Sequence, residues 1–168
     1  MKIKVYLLLF VAIVIGILGL NLASAQKESN ISARTQENLS IAMHGEAFAY
    51  AKYLLYAEQA QKHGHPELAR LFEETAKVER LQHFAEEAAL AGLVGSDADN
   101  LRDAIKGESY EIDTMYREFA EQAKTRGDPA AADRFEEVRS DEMGHREAFK
   151  TALAKVQNEL TATKQDVR

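Results

Sequence analysis

The chain has 168 residues, enough for one domain and a short leader, with 21 basic residues, 27 acidic residues and no cysteine. An acidic chain without basic clusters is not expected to bind nucleic acid, and the lack of cysteine excludes disulfides, thiolate zinc sites and iron–sulfur clusters from these residues. Any bound metal must therefore be held by oxygen and nitrogen ligands.

The N-terminal segment has the features of a secretory signal peptide. Lys2 and Lys4 precede an apolar run over residues 5–20, and Ala-Ser-Ala at residues 23–25 offers a cleavage site. We therefore predict a signal peptide over residues 1–25 and an exported, periplasmic or extracytoplasmic protein. The alternative is an uncleaved N-terminal anchor, because the apolar run exceeds the usual signal-peptide core. The protein is expected to contact a membrane only in that case.

Four helices are predicted after a flexible tether at residues 26–35. Apolar residues recur with helical spacing, both prolines and most glycines fall between the periodic segments, and no alternating β-branched run occurs. The chain is therefore expected to be all-α, with one bundle at residues 36–160 and a disordered tail at residues 161–168. The predicted helices cover residues 36–62, 66–91, 99–126 and 129–160.

The two halves of this helical region resemble each other. Residues 57–82 match residues 120–145 at 11 positions with an offset of 63, whereas Gly45-Glu46 matches Gly107-Glu108 with an offset of 62. The chain is therefore predicted to contain two copies of a helical hairpin. The extra residue of the second copy lies inside the third helix, where a π-bulge is expected, and Glu111 lies beside it.

The repeat indicates a set of metal ligands. Glu142 and His145 are three residues apart, so they share one face of a helix. Ferritin-like bundles place a Glu-x-x-His pair on each of two helices and a single inward Glu on each of the others. Acids on an apolar stripe are unfavourable unless they are paired or metal-bound. The ligands nominated in this way are Glu46, Glu79, Glu108, Glu142 and His145.

The first half offers two candidates for the remaining ligand. In the register of the repeat, Gln82 matches His145, while His83 follows Glu79 by four residues. Both spacings lie near one helical face, and a bulge would bring His83 into line. Because an amide is a weak ligand, the sequence favours His83 and leaves Gln82 as the alternative.

Four segments, GEAFAYAKY, FEETAKVERLQHF, GESYEIDTMYREFAEQA and DEMGHREAF, resemble the erythrin part of rubrerythrins, in the ferritin-like superfamily. The resemblance covers residues 36–153. It implies a ferritin-like four-helix bundle holding two iron ions (Fe2+/Fe3+) that reduce hydrogen peroxide, and some members oxidise Fe2+ with dioxygen. It also implies that the five nominated ligands bind iron and that Glu111 is an additional glutamate that moves with the redox state. His83 is our substitution for Gln82.

Electron supply separates this sequence from typical rubrerythrins, which carry a small domain where four cysteines hold one iron. Because the chain has no cysteine, the electron donor is expected to be a separate protein. The alternatives are an iron-binding or ferroxidase-type metal-handling protein and a metal-free helical interaction module. Carboxylate and imidazole ligands can also hold manganese, in one or both positions.

The link between the hairpins is short for a ferritin-like bundle within one chain. The second and third helices run parallel there, so the ends of the link would lie about 30 Å apart along the bundle. Nine extended residues reach only about 30–32 Å. We therefore expect either early helix ends or a homodimer in which each hairpin pairs with the other hairpin of a second chain, a domain swap.

Overall fold

The computed structural model describes residues 31–166, and every regular element in this range is helical, so the all-α prediction is confirmed. No helix in this range combines the length and apolarity needed to cross a bilayer. Helix α1 is Ala33–Lys62. Helix α2, residues 66–91, joins Pro66–Val78, the π-helical segment Glu79–His83 and Phe84–Ala91. Helix α3, residues 97–126, joins Asp97–Tyr110, the π-helical segment Glu111–Met115 and Tyr116–Arg126, and helix α4 is Pro129–Asp166.

Local sequence explains where the helices begin and end. The Ser96 hydroxyl oxygen accepts a hydrogen bond from the Asp99 backbone N–H at 3.2 Å and caps α3. Gly92 and Gly127 end α2 and α3 with φ of 65° and 83°, a left-handed conformation that glycine adopts without strain. Pro66 lies in the first turn of α2, as predicted.

Two helices extend beyond their predicted ends. Helix α1 begins at Ala33, inside the predicted tether, because Ser32 provides its N-cap. Helix α4 continues to Asp166, so the predicted disordered tail is helical up to that residue; neither proline nor glycine follows Gly144 to stop the helix. The predicted signal peptide and residues 26–30 lie outside the described residues.

The helices form two hairpins that pack through small side chains. Helices α1 and α2 form the first hairpin, and helices α3 and α4 form the second. In the first hairpin Ala57, Ala60 and Ala69 form a buried cluster against which Phe72 packs. Over residues 31–166, Ile112 is the one large side chain that is almost fully buried. Each hairpin is thus a thin two-helix layer and not a closed core.

The two hairpins do not pack on each other within one chain. No helix of the first hairpin contacts a helix of the second in the part of the chain that the structure describes. Each hairpin therefore leaves one broad face open. A four-helix bundle needs two such faces to meet.

Candidate metal centre

The first hairpin brings three predicted ligands together, which we call the first triad: Glu46 of α1 and Glu79 and His83 of α2. One ligand atom of each lies within 4.8 Å of the others. The His83 Nδ1 atom is 2.8 Å from a Glu79 carboxylate oxygen and 3.7 Å from a Glu46 carboxylate oxygen. These two carboxylates and one imidazole are a donor set for a transition metal.

The π-helical segment of α2 explains why His83 joins this triad. A π turn contains one residue more than an α turn, so a residue at i+4 takes the place that i+3 has in an α-helix. The segment begins at Glu79 and ends at His83, which therefore faces the Glu79 carboxylate. The side chain of the neighbouring Gln82 is exposed.

The second hairpin forms an equivalent group, the second triad: Glu108 of α3 and Glu142 and His145 of α4, again with ligand atoms within 4.8 Å of one another. The His145 Nδ1 atom is 2.5 Å from a Glu142 carboxylate oxygen, and the spacing of three residues matches regular α-helix. The structure therefore gathers the six predicted ligands into two triads, one on each hairpin, and does not join them into one cluster within the chain.

The two carboxylates of each triad lie close together, and the imidazole beside them offsets their repulsion only in part. A hydrogen bond to Glu79, together with burial and the negative charge of Glu79, raises the pKa of Glu46. Burial raises the pKa of Glu108, and so do its hydrogen bond to Glu142 and the charge of that residue. One Glu108 oxygen, Oε2, is buried without a hydrogen-bond partner among the described residues. A bound cation would relieve this repulsion and satisfy the free oxygen, so the residues fit a metal ion.

Two further residues lie on the face of the second triad. Glu111 begins the π-helical segment of α3, which confirms the predicted bulge beside it. Burial and then the charge of Glu142 raise the pKa of Glu111. Burial raises the pKa of Tyr116, and the charges of Glu111 and Glu142 raise it further. The sequence alone did not indicate which tyrosine is near the carboxylates.

Glu87 is a further candidate metal ligand, which the sequence did not indicate. One of its carboxylate oxygens is buried without a hydrogen-bond partner among the described residues, and its charge contributes to the raised pKa of Glu46. Glu87 follows Glu79 by eight residues. Two α turns take seven residues and the π-helical segment adds one, so the spacing of eight returns to the same face. That relation is hidden in the sequence unless the π-helical segment is known.

Arg139 of α4 stabilises the π-helical segment of α3 by a hydrogen bond. Its Nε atom donates a hydrogen bond of 2.8 Å to the Ile112 carbonyl oxygen, and its Nη1 atom donates one of 3.2 Å to Glu136. The side chain is 27% exposed, so water screens these bonds only in part. Arg139 thus holds the segment that presents Glu111.

We expect Arg139→Met to lower the free energy of unfolding of the metal-free protein by about 1.5–3 kcal/mol, the usual contribution of a hydrogen bond to a charged group. Urea unfolding followed by circular dichroism at fixed protein concentration measures this change. Arg134→Met is the matched control, because Arg134 makes an exposed ion pair of 2.7 Å with Glu137 that contributes about 0–1 kcal/mol. Equal losses in the two variants would contradict the role of Arg139.

Comparison with known proteins identifies the family of this chain. A sequence model of the rubrerythrin family matches residues 37–83 and 77–153. Rubrerythrin of Porphyromonas gingivalis is 33% identical over 138 residues, which cover 75% of this chain and 69% of the relative. The chain belongs to the rubrerythrin family. Nigerythrin of Nitratidesulfovibrio vulgaris is 33% identical over 132 residues, covering 70% of this chain and 65% of the relative. The solved structure of fully reduced, all-ferrous nigerythrin is 31% identical in sequence. The alignment covers 80% of this chain and 72% of the nigerythrin chain, with a TM-score of 0.39.

Membership of the rubrerythrin family indicates the general chemistry of this protein. Rubrerythrins are ferritin-like di-iron proteins, and as a family they reduce peroxide with electrons taken from a partner protein. The ferritin-like fold class predicted from the two hairpins is confirmed. The roles of the individual triad residues stay predictions, which the experiments below test.

Proposed function

We propose that this protein is an exported di-iron oxidoreductase that reduces hydrogen peroxide with electrons from a separate donor protein. The observation that carries the proposal is the pair of triads, each with two carboxylates and one imidazole within 4.8 Å. Two iron ions bound there would supply two electrons to the O–O bond, each passing from Fe2+ to Fe3+. With two protons, one peroxide molecule yields two water molecules.

The chain's own residues hold and adjust this centre. The first triad and the second triad each provide the ligands of one hairpin. Glu111 lies beside the second triad on a π-helical segment, so a small backbone adjustment there can change which atoms its carboxylate reaches. This placement supports the additional, mobile glutamate that the family resemblance implies.

The reaction is tested by loading the metal-free protein with Fe2+ under anaerobic conditions and following iron oxidation. We expect one added peroxide molecule to oxidise two Fe2+ ions, and we expect peroxide to react faster than dioxygen. Oxidation by dioxygen with no preference for peroxide would instead establish the metal-handling alternative. No metal uptake would leave only the helical interaction module, and elemental analysis distinguishes iron from manganese.

We propose export to the periplasm on the basis of the leader. Two lysines, an apolar run and a small-residue cleavage site occur in the order that a signal peptide requires. N-terminal sequencing of the protein from cells checks the proposal: a mature chain that starts at Gln26 supports it, and a chain that starts at Met1 in the cytoplasmic fraction contradicts it. The reductant is then expected to be a separate protein in the same compartment.

A further inference from the structure

We propose that the metal centre is assembled between two copies of this chain. The first hairpin of one protomer packs on the second hairpin of its partner, and the reciprocal pair forms in the same way. The dimer thus contains two four-helix units, each with one complete centre. The inference rests on the proposed function only in taking the two triads as metal ligands.

The first support is that each half of the centre is incomplete. A triad offers three side-chain ligands, too few for two metal ions. The other triad lies on a hairpin that makes no packing contact with it among the described residues of the same chain. The buried unpartnered oxygen of Glu108 belongs to one of these halves. A second copy supplies the missing half with no other protein required.

The second support is the length of the link. Glu79 precedes the end of α2 at Ala91 by about 18 Å of helix, and Glu108 follows the start of α3 at Asp97 by about 16 Å. In a ferritin-like unit the two helices run parallel with these glutamates level, so the ends of the link would be about 34 Å apart. Six extended residue steps reach only about 20–22 Å.

Early helix ends do not resolve this shortage. Helix α2 remains regular as far as Ala91, where Gly92 ends it, and Ser96 caps α3 just before Asp97. The observed link is shorter than the one predicted from the sequence, because α3 begins at Asp97 whereas the predicted link was counted as far as residue 100. A swap removes the constraint, since the link then only has to pass from one four-helix unit to the other.

The third support is the character of the open faces. Each hairpin carries a cluster of three aromatic rings, in positions related by the repeat. In both clusters one ring is partly exposed to water: Tyr56 is 46% exposed and Phe119 is 41% exposed. Phe72 precedes Glu79 by seven residues, or two helical turns, and Phe135 precedes Glu142 by the same number, so each cluster is on the metal-binding face of its hairpin. The clusters are Tyr53, Tyr56 and Phe72, and Tyr116, Phe119 and Phe135.

The two open faces carry equivalent residues, because the hairpins are copies of one repeat. When the two faces meet, the aromatic clusters become the apolar layers of a bundle beside a central band of metal ligands, and the exposed rings are removed from water. Each chain carries both of the faces that have to meet. A second copy of the chain therefore provides a partner for each face, and no unrelated protein is needed.

The decisive experiment is complementation between two inactive chains. Chain X carries Glu46→Gln and Glu79→Gln, and chain Y carries Glu108→Gln and Glu142→Gln; the exchanges preserve side-chain shape. Neither chain alone can form a complete centre. In a mixed dimer, the first hairpin of Y meets the second hairpin of X, and both are unaltered. Random pairing then restores about a quarter of the wild-type iron content, because half of the dimers are mixed and one of their two centres is intact.

Iron content after co-refolding is measured by elemental analysis, with chain X alone and chain Y alone as controls and circular dichroism to show that each is helical. No recovery in helical protein would overturn the proposal, since any closure within one chain, parallel or antiparallel, gives none. A wild-type monomer with bound metal, seen by light scattering, would overturn it as well. A wild-type dimer without metal would instead defeat the proposed function and leave the dimer standing.

Discussion

Glu142→Ala is expected to lower peroxide reduction by at least about 100-fold while leaving the helices intact. Loss of a residue that only supports a metal ligand commonly lowers activity about 10–100-fold, and Glu142 is predicted to be a ligand itself. It is 15% exposed, contacts His145 at 2.5 Å, and its charge raises the pKa of both Glu108 and Glu111. Its removal therefore disturbs every carboxylate of the second triad and Glu111 together.

The variant is measured by steady-state peroxide consumption and by iron content, with far-ultraviolet circular dichroism to monitor the helices. Alanine has the highest helix propensity, so the helix itself should not be weakened. Asp141→Ala is the matched control: Asp141 is the preceding residue, is exposed and lies outside the triad. The ligand assignment fails if Glu142→Ala binds two irons and retains wild-type turnover.

The hairpins could be predicted from the sequence because their signals are local. Apolar spacing marks the helices, Gly92 and Gly127 stop them, and the repeat shows that one hairpin occurs twice. The π-helical segment beside Glu111 was also predictable, since an offset that changes from 62 to 63 inside one helix demands an extra residue there. Each of these inferences needs only neighbouring residues or the comparison of one half with the other.

What the sequence did not predict depends on contacts between distant residues or on a single inserted residue without a local signal. The hydrogen bond from Arg139 to Ile112 joins two helices, and the sequence near either residue contains no signal that predicts it. The π-helical segment that ends at His83 left two ligand candidates open, and it also hid Glu87. The partner of each hairpin was left open because helical periodicity identifies an apolar face but not what covers it.

The two π-helical segments make the halves of the centre unequal. Glu111 lies next to the second triad, whereas Ala49 occupies the matching position beside the first triad. The first hairpin has its segment in the other helix, where it aligns His83 and brings Glu87 onto the same face. An additional carboxylate thus lies beside each triad, Glu87 beside the first and Glu111 beside the second, but the two are not related by the repeat. The two metal positions are therefore expected to differ in their surroundings although the hairpins are repeats.

The assignment of His83 leads to the second large effect. We expect His83→Ala to lower peroxide reduction by about 100-fold or more and to reduce the iron content from about two ions to about one per four-helix unit, because an imidazole ligand is removed. Gln82→Ala is the matched control, since it alters the neighbouring residue in the same π-helical segment. Gln82 is exposed, and its replacement should leave iron content and turnover unchanged within about twofold.

Deletion of Gln82 distinguishes a role of the π-helical segment from a role of the residue. The deletion converts Glu-x-x-x-His into the Glu-x-x-His spacing that Glu142 and His145 have on α4. Because a π-helical segment absorbs one extra residue, its removal should give a regular α-helix with the imidazole on the same face. We therefore expect the deletion variant to bind iron like the wild type. Loss of iron in Gln82→Ala with retention in His83→Ala would make Gln82 the ligand and reverse the assignment.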